Sequence, residues 1–276
     1  MRTRYFAALM CLLMTACNSP SNNSSSENSE TKTESLPIAQ FDELNQSFDQ
    51  AMKKFSAAYR DASKEERPAI YENLYPKNDK YAAQFMALAK ENPGTEVACN
   101  SLLWIAQRGD EGLSEEAYAT LWEDHIESEN LRDLWIGLVY ATPSQKNLDR
   151  INQLLEKNPH DSVKAAATYA LAQLLGRIRS MKKSGDQEEF VANCDVSDAR
   201  IELLYNQIIS QYPDVKFRAG SKQTFSSMAE GALFEIHNLA IGKQAPEIEG
   251  KDLDGQEFKL SDYRGKVVLL DFWGDW

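Results

Sequence analysis

The chain has 276 residues, of which 42% are hydrophobic and 10% aromatic, so it is long enough for one large domain or two small ones. Its 30 lysines and arginines stand against 42 aspartates and glutamates, which gives a formal net charge of -12. Proteins that bind nucleic acid present a basic face to the phosphates. The charge therefore argues against that class, and we expect no nucleic-acid partner.

An export signal is predicted at residues 1–17. Arg2 and Arg4 form a short positive segment, and the apolar stretch 5–14 is too short for a permanent membrane helix. The sequence LMTAC, which ends at Cys17, resembles the lipobox of bacterial lipoproteins. That resemblance implies lipidation of Cys17 and a membrane anchor in the cell envelope, facing the periplasm or the extracellular side. The alternative is an ordinary signal peptide with an incidental cysteine.

Residues 18–37 are rich in serine and asparagine and contain few side chains that a core could bury. Such a composition is typical of disordered linkers. We therefore predict a disordered tether that holds the folded part of the protein away from the membrane.

Residues 38–240 have the periodicity of helices. Apolar side chains recur every three or four positions from Phe41 to Tyr59, with charged residues on the other faces, as in an amphipathic helix that faces a core. Proline, glycine, serine and asparagine separate further predicted helices. These are residues 78–91, 95–107, 114–126, 129–140, 145–157, 161–180, 198–211 and 221–239.

An Asn-Pro break followed by a helix occurs twice, in residues 90–107 and again in residues 156–173. A repeated helix, break and helix unit is typical of stacked helical hairpins of the TPR or HEAT kind. The spacing is irregular, so an irregular helical bundle is an equal alternative. In either case we expect an α-helical module that binds a protein partner or acts as a spacer.

The four cysteines give no metal-site spacing. Cys11 lies in the signal and Cys17 at the predicted lipid site, which leaves Cys99 and Cys194. These two could pair in an oxidising compartment, or Cys99, in an apolar helical stretch, could be a buried inert thiol.

The three histidines, His125, His160 and His237, have no second ligand at metal-binding spacing. We interpret them as surface or packing residues. We therefore expect no metal and no cofactor.

The pattern changes in residues 241–276. The pair Asp254-Gly255 lies between two strand-like runs and predicts a β-hairpin. After a second turn at Arg264-Gly265 comes the apolar run Val267–Phe272, which is typical of a strand buried on both faces inside a parallel sheet.

The segments GKQAPEIEG, DLDGQEFKLSDYRGK and VVLLDFWGDW, in this order, resemble the start of a thioredoxin-like redoxin. More narrowly, they are similar to the TlpA-like thiol-disulfide oxidoreductases of the alkyl hydroperoxide reductase/thiol-specific antioxidant superfamily. The predicted fold is therefore mainly α. A helical bundle or TPR/HEAT-like repeat precedes the first β-hairpin and strand of an incomplete thioredoxin-like α/β domain.

In that family the strand is followed by Trp-Cys-x-x-Cys, whose first cysteine is the nucleophile and whose second resolves the mixed disulfide. Of the family residues that lead up to the active site, only those at Phe272, Trp273 and Trp276 are matched here. The resemblance implies that they shape the site without reacting. The nucleophile would follow Trp276, so we expect the 276-residue chain to be inactive. Three causes would each explain why the chain ends directly before the expected nucleophile: a fragmentary sequence record, a mutational stop, or a UGA codon that is read as selenocysteine.

The resemblance implies that the complete product is a membrane-anchored envelope thiol-disulfide oxidoreductase acting on protein thiols or disulfides. The short sequence FWGDW favours this over a peroxiredoxin-like antioxidant, which stays a lesser alternative. The alternative function, which belongs to the class of binding proteins and not of enzymes, is a noncatalytic lipoprotein whose helical module binds a protein partner.

Overall fold

The structure, a computed structural model, describes residues 27–140, 142–185, 189–218 and 220–272, with side chains from residue 36. Eleven α-helices are present in these ranges. They are α1 Glu27–Asp61, α2 Arg67–Leu74, α3 Asn78–Glu91, α4 Glu96–Arg108, α5 Glu111–Asp124, α6 Trp135–Tyr140, α7 Gln145–Lys157, α8 Asp161–Lys183, α9 Glu189–Asn193, α10 Asp198–Gln211 and α11 Phe225–Phe234.

Short elements complete the chain. A 3₁₀ turn, Glu129–Leu134, leads into α6, and a π-helical turn, Glu235–Leu239, extends α11. Strands β1 Glu249–Lys251 and β2 Glu257–Lys259 form a hairpin that is followed by a 3₁₀ turn, Leu260–Tyr263. The described chain is thus mainly helical with one small sheet near its C-terminal end, as the sequence predicts.

The core of the helical module is built around α8. This helix packs against α6, α7, α10 and α11 and against the first 3₁₀ turn. Twelve of its residues are buried, and five of them are alanines. Small side chains let neighbouring helix axes approach closely, so α8 can touch helices on several sides. The elements that α8 contacts are those nearest to it in the chain, a pattern that stacked helical hairpins and a bundle share. These contacts therefore agree with either of the two predicted architectures.

A cluster of aromatic rings joins α1, α3 and α4. Trp104 stacks on Phe85 with ring centroids 4.5 Å apart, and its edge meets Phe48 at 5.0 Å. The Arg108 guanidinium lies 5.4 Å from the centre of the Trp104 ring, within cation–π range. Phe48 is one of the stripe residues of the amphipathic helix, and this part of the stripe faces the core as predicted, whereas Tyr59 at its end is exposed.

An ion cluster connects α5 to α7. Arg150 Nη2 lies 2.6 Å from Glu115 Oε2, and Lys146 also pairs with this carboxylate. Hydrogen bonding to Arg150 is the main cause that lowers the pKa of Glu115 to about 2. The Arg150 guanidinium also lies over the Tyr118 ring, 4.2 Å from its centre.

Several helix boundaries agree with the sequence analysis, and others differ for local reasons. Helix α1 begins at Glu27, inside the stretch predicted as a disordered tether, because glutamates suit a helix N-terminus and the apolar stripe continues the helix. Residues 18–26 lie outside the described ranges. Helices α2 and α9 were not predicted, since α2 has no fully buried residue and α9 spans a single turn.

In the described part of the chain, no helix has the length and apolar character needed to cross a bilayer.

The two Asn-Pro breaks close their turns differently. The Asn158 side chain is buried, and its Nδ2 donates to the carbonyls of Ile126 (2.7 Å) and Ser128 (2.9 Å). Its Oδ1 accepts a hydrogen bond from the backbone N–H of His160 at 3.0 Å. The side chain of Asn92 makes one local bond, from its Nδ2 to the Leu88 carbonyl. Asn158 therefore ties the loop after α5 to the start of α8, whereas Asn92 only ends α3.

We predict that Asn158→Ala lowers the free energy of unfolding by about 3 kcal/mol, because it removes three part-buried hydrogen bonds, those to the backbone of Ile126, Ser128 and His160. The matched change Asn92→Ala should cost about 1 kcal/mol, the value of one partly exposed hydrogen bond. Urea unfolding followed by circular dichroism measures both. Equal losses for the two variants would contradict the bridging role of Asn158.

Candidate functional site

The candidate site is the segment after the helical module, and its first feature is the hairpin. Strands β1 and β2 pair antiparallel, with Glu249 opposite Lys259 and Gly250 opposite Phe258. The Glu249 carboxylate also pairs with the Lys259 ammonium. A side chain at Gly250 would place its Cβ 3.2 Å from the Phe258 ring, so glycine leaves room for that ring. The predicted hairpin is thereby confirmed.

The turn of the hairpin is organised by Asp252. Its Oδ1 accepts hydrogen bonds from the backbone N–H groups of Asp254 (2.9 Å) and Gln256 (2.8 Å). Gly255 has φ +78°, which is unfavourable for residues with a Cβ. The Asp-Gly pair thus forms the tight connection that the sequence predicts.

Glu247 ties the start of the segment to the turn after β2. Its Oε1 accepts the backbone N–H of Ser261 at 2.9 Å, and hydrogen bonds from Ser261 lower the pKa of this carboxylate. This contact could not be predicted from the sequence, because a pair so far apart along the chain produces no periodic signal. The backbone of Lys259 makes a similar bond, to Asp262 Oδ2 at 2.9 Å.

The run Val267–Phe272 differs from its prediction as a buried strand. These residues form no strand in the described structure, and Val267, Leu269 and Phe272 are 104%, 92% and 82% exposed. A strand requires a hydrogen-bonded neighbour, and burial on both faces requires covering layers. The described residues provide neither next to this run, so its apolar pattern alone does not make it a strand.

Of the residues proposed for the approach to the active site, only Phe272 is described. Trp273 and Trp276 lie outside the described residues, as does Cys17, the predicted lipidation site. How these site residues are arranged relative to one another therefore stays a prediction.

The two cysteines in the described ranges are both free thiols. Cys99 is buried in α4 and donates to Ser128 Oγ at an S···O distance of 3.5 Å, and its burial raises the pKa of the thiol. Burial also raises the pKa of the Cys194 thiol, although Arg200 opposes this effect. A reactive cysteine needs a lowered pKa, so neither thiol is suited to be a redox nucleophile.

The histidines occupy three different environments. His125 is buried, His160 is half-buried, and His237 is exposed with its Nε2 3.1 Å from Glu202 Oε1. Within the described ranges, no three or more histidine, cysteine, aspartate or glutamate side chains are grouped so that they could hold a metal ion.

Comparison with known proteins gives a signal for this same segment. Residues 241–276 match the AhpC/TSA family model. Thiol-disulfide oxidoreductase ResA of Geobacillus thermodenitrificans is 53% identical over 38 residues, which are 14% of this chain and 22% of the relative. The protein of the same name from Geobacillus kaustophilus is 55% identical over 38 residues, with the same coverage.

A longer match reaches the ResA protein of Bacillus thuringiensis subsp. konkukian, which is 38% identical over 50 residues, or 18% of this chain and 29% of the relative. The chain thus spans less than a third of the length of these curated relatives. No solved structure matches it. The C-terminal segment therefore carries a redoxin family signal, and these homologues of the segment are thiol-disulfide oxidoreductases.

We predict that alkylating reagents barely modify Cys99 in the folded chain at neutral pH, because the thiol is buried and protonated. Its modification with iodoacetamide should be at least about 100-fold slower than in urea, and Cys194, which is half-buried, should show a smaller difference. Peptide mass mapping resolves each cysteine. Rapid modification of either thiol in the folded state would contradict the environments described above.

Proposed function

We propose that residues 241–276 belong to a TlpA-like thiol-disulfide oxidoreductase module carried by an exported, lipid-anchored protein. The observation that carries this proposal is the AhpC/TSA match over 241–276, which coincides with the hairpin and with the start of the redoxin resemblance. Its substrates are envelope proteins that carry thiols or disulfides.

The proposed chemistry is thiol-disulfide exchange. A cysteine thiolate of the module attacks one sulfur of a client disulfide and forms a mixed disulfide, while the other client sulfur leaves as a thiolate. A second cysteine then attacks the mixed disulfide, which closes a disulfide in the module and releases the reduced client. Two electrons pass from the module to the client, and the reverse sequence oxidises a client dithiol.

In this proposal the reacting cysteine follows Trp276, and Cys99 and Cys194 take no part. The raised pKa of both thiols supports this division. Phe272, Trp273 and Trp276 form the approach to the reacting sulfur, where apolar side chains exclude water.

The second candidate function is a noncatalytic lipoprotein whose helical module binds a protein partner. The observation that favours it is that the described residues contain no activated thiol, whereas their helical core is extensive. A peroxiredoxin-like antioxidant role remains a lesser alternative within the same superfamily.

We expect that the 276-residue chain does not accelerate the reduction of insulin disulfides by dithiothreitol above the uncatalysed rate.

Sequencing of the gene and transcript across the codon for Trp276 should reveal a Cys-x-x-Cys reading frame, or an in-frame UGA with an open frame behind it. A product with the cysteine pair should accelerate insulin reduction, and a serine in place of its first cysteine should abolish the effect. A stop codon with no coding sequence behind it would overturn the oxidoreductase in favour of the binding protein.

We also predict that Cys17 is the site of the membrane anchor. Cys17→Ser should abolish incorporation of a labelled fatty acid and move the protein from the membrane fraction to the soluble fraction. The matched change Cys11→Ser, within the signal, should leave both unchanged. Labelling of the Cys17→Ser variant at the level of the unmodified protein would contradict the lipobox interpretation.

A further inference from the structure

A small pocket opens between the ends of α3 and α5 and the start of α4. Its volume is about 240 Å³. That is below the size of pockets that take drug-sized ligands, roughly 300–1,000 Å³, and is suited to one side chain or a similar small group. The pocket lies in the helical module, outside the segment that carries the redoxin signal, so its function does not depend on the proposed disulfide chemistry.

The floor of the pocket is apolar and its rim is polar. The buried side chains at the floor are Met86, Ala89, Ala98 and Leu102. Exposed residues at the rim include Lys90, Pro93, Gly94 and Asp124. A group that enters the pocket therefore loses water on its inner side and keeps polar neighbours near the opening.

His125 is the one buried polar side chain that lines the pocket. It is 8% exposed, and its ring makes no hydrogen bond or ion pair with the described residues. Its backbone is fully engaged, because its N–H donates to the Leu121 carbonyl and its carbonyl accepts from the Ser128 N–H. The ring nitrogens are not among the described side-chain atoms that are shut off from solvent without a partner. They therefore keep accessible surface and have a hydrogen bond available for a ligand that enters the pocket.

The charges around the pocket favour a neutral ligand. The Lys90 ammonium at the rim already pairs with Glu116 at 2.9 Å, and the Asp124 carboxylate carries the opposite charge. Burial lowers the pKa of His125, although Asp124 opposes this effect, so the imidazole is neutral at neutral pH. An anion would meet Asp124, and a cation would meet Lys90.

We propose that this pocket binds the phenol side chain of a tyrosine on a partner protein, with the phenolic hydroxyl hydrogen-bonded to the His125 ring. A phenol both donates and accepts a hydrogen bond, so it suits either tautomer of the imidazole. Its ring fits the apolar floor, where the Met86 thioether gives a favourable contact with an aromatic ring. Tyrosine is also a frequent anchor residue in protein interfaces.

The test uses the full chain with isotope-labelled histidine rings. The sequence contains three histidines, and His125→Gln, His160→Gln and His237→Gln assign their NMR signals. Titration with p-cresol should shift the His125 signal saturably, with a Kd on the order of 1 mM. The signals of His160 and His237 should stay in place and report that the fold is intact.

Two matched comparisons separate the hydrogen bond from the pocket. Toluene, which lacks the hydroxyl, should bind about fivefold more weakly than p-cresol, and His125→Gln should alter that ratio. Ala98→Met fills the floor and should weaken p-cresol binding at least about tenfold, whereas Ala87→Met, at an exposed position of α3 outside the pocket, should not. If Ala98→Met fails to fold, the comparison of the two ligands on the unmodified chain remains decisive.

The peptides acetyl-Gly-Tyr-Gly-amide and acetyl-Gly-Phe-Gly-amide test the source of the phenol. The tyrosine peptide should shift His125 and the phenylalanine peptide should bind more weakly. A non-saturable or uniform response of the three histidines, or equal binding of toluene and p-cresol, would overturn the proposal. Binding of p-cresol without binding of the tyrosine peptide would overturn the protein partner and leave a free phenol as the ligand.

Discussion

The close packing of helices around α8 is the constraint on which the helical module depends. An alanine on this helix leaves space that a neighbouring helix fills, so a larger side chain at Ala165 or Ala170 would displace a whole helix. Because α6, α7, α10 and α11 all meet the same helix, their positions are coupled through it. The aromatic cluster of α1, α3 and α4 forms a second packing centre, and the 3₁₀ turn that contacts both α4 and α8 joins the two. The His125 pocket lies at the ends of α3 and α5, next to the second of these packing centres.

Much of this fold could be predicted from local sequence. Helices α3, α7 and α10 begin and end where apolar periodicity and Asn, Ser or Pro breaks place them, because both signals are contained within a few residues. The 3₁₀ turn before α6 and the π-helical turn after α11 could not, since hydrophobic periodicity does not distinguish these helices from α-helices. The choice between a repeat and a bundle depends on how successive helices are arranged in space, and that information is absent from any single helix.

The candidate site was less predictable from sequence than the fold. Motif order alone located the redoxin segment, and the Asp-Gly turn has a local cause in the hydrogen bonds to Asp252. The bond between Glu247 and Ser261, and the pocket around His125, arise from residues that are distant in the sequence and have no characteristic spacing. His125 illustrates the limit, because a lone histidine at the end of a helix gives no indication of whether its ring is buried or paired. The run Val267–Phe272 illustrates the converse, since apolar periodicity reports a preference for burial but does not supply the neighbours that burial requires.

The Asn-Pro breaks also affect the chemical durability of the module. Asparagine deamidates when the backbone nitrogen of the next residue attacks the side-chain amide and closes a cyclic imide. Proline has no N–H to lose in that reaction, so Pro159 protects Asn158 and Pro93 protects Asn92. For Asn158 the protection matters most, because a carboxylate in its place could not donate to the carbonyls of Ile126 and Ser128 and would bury a charge. Pro159, which follows α7, thus also slows deamidation of the Asn158 side chain that holds the turn closed.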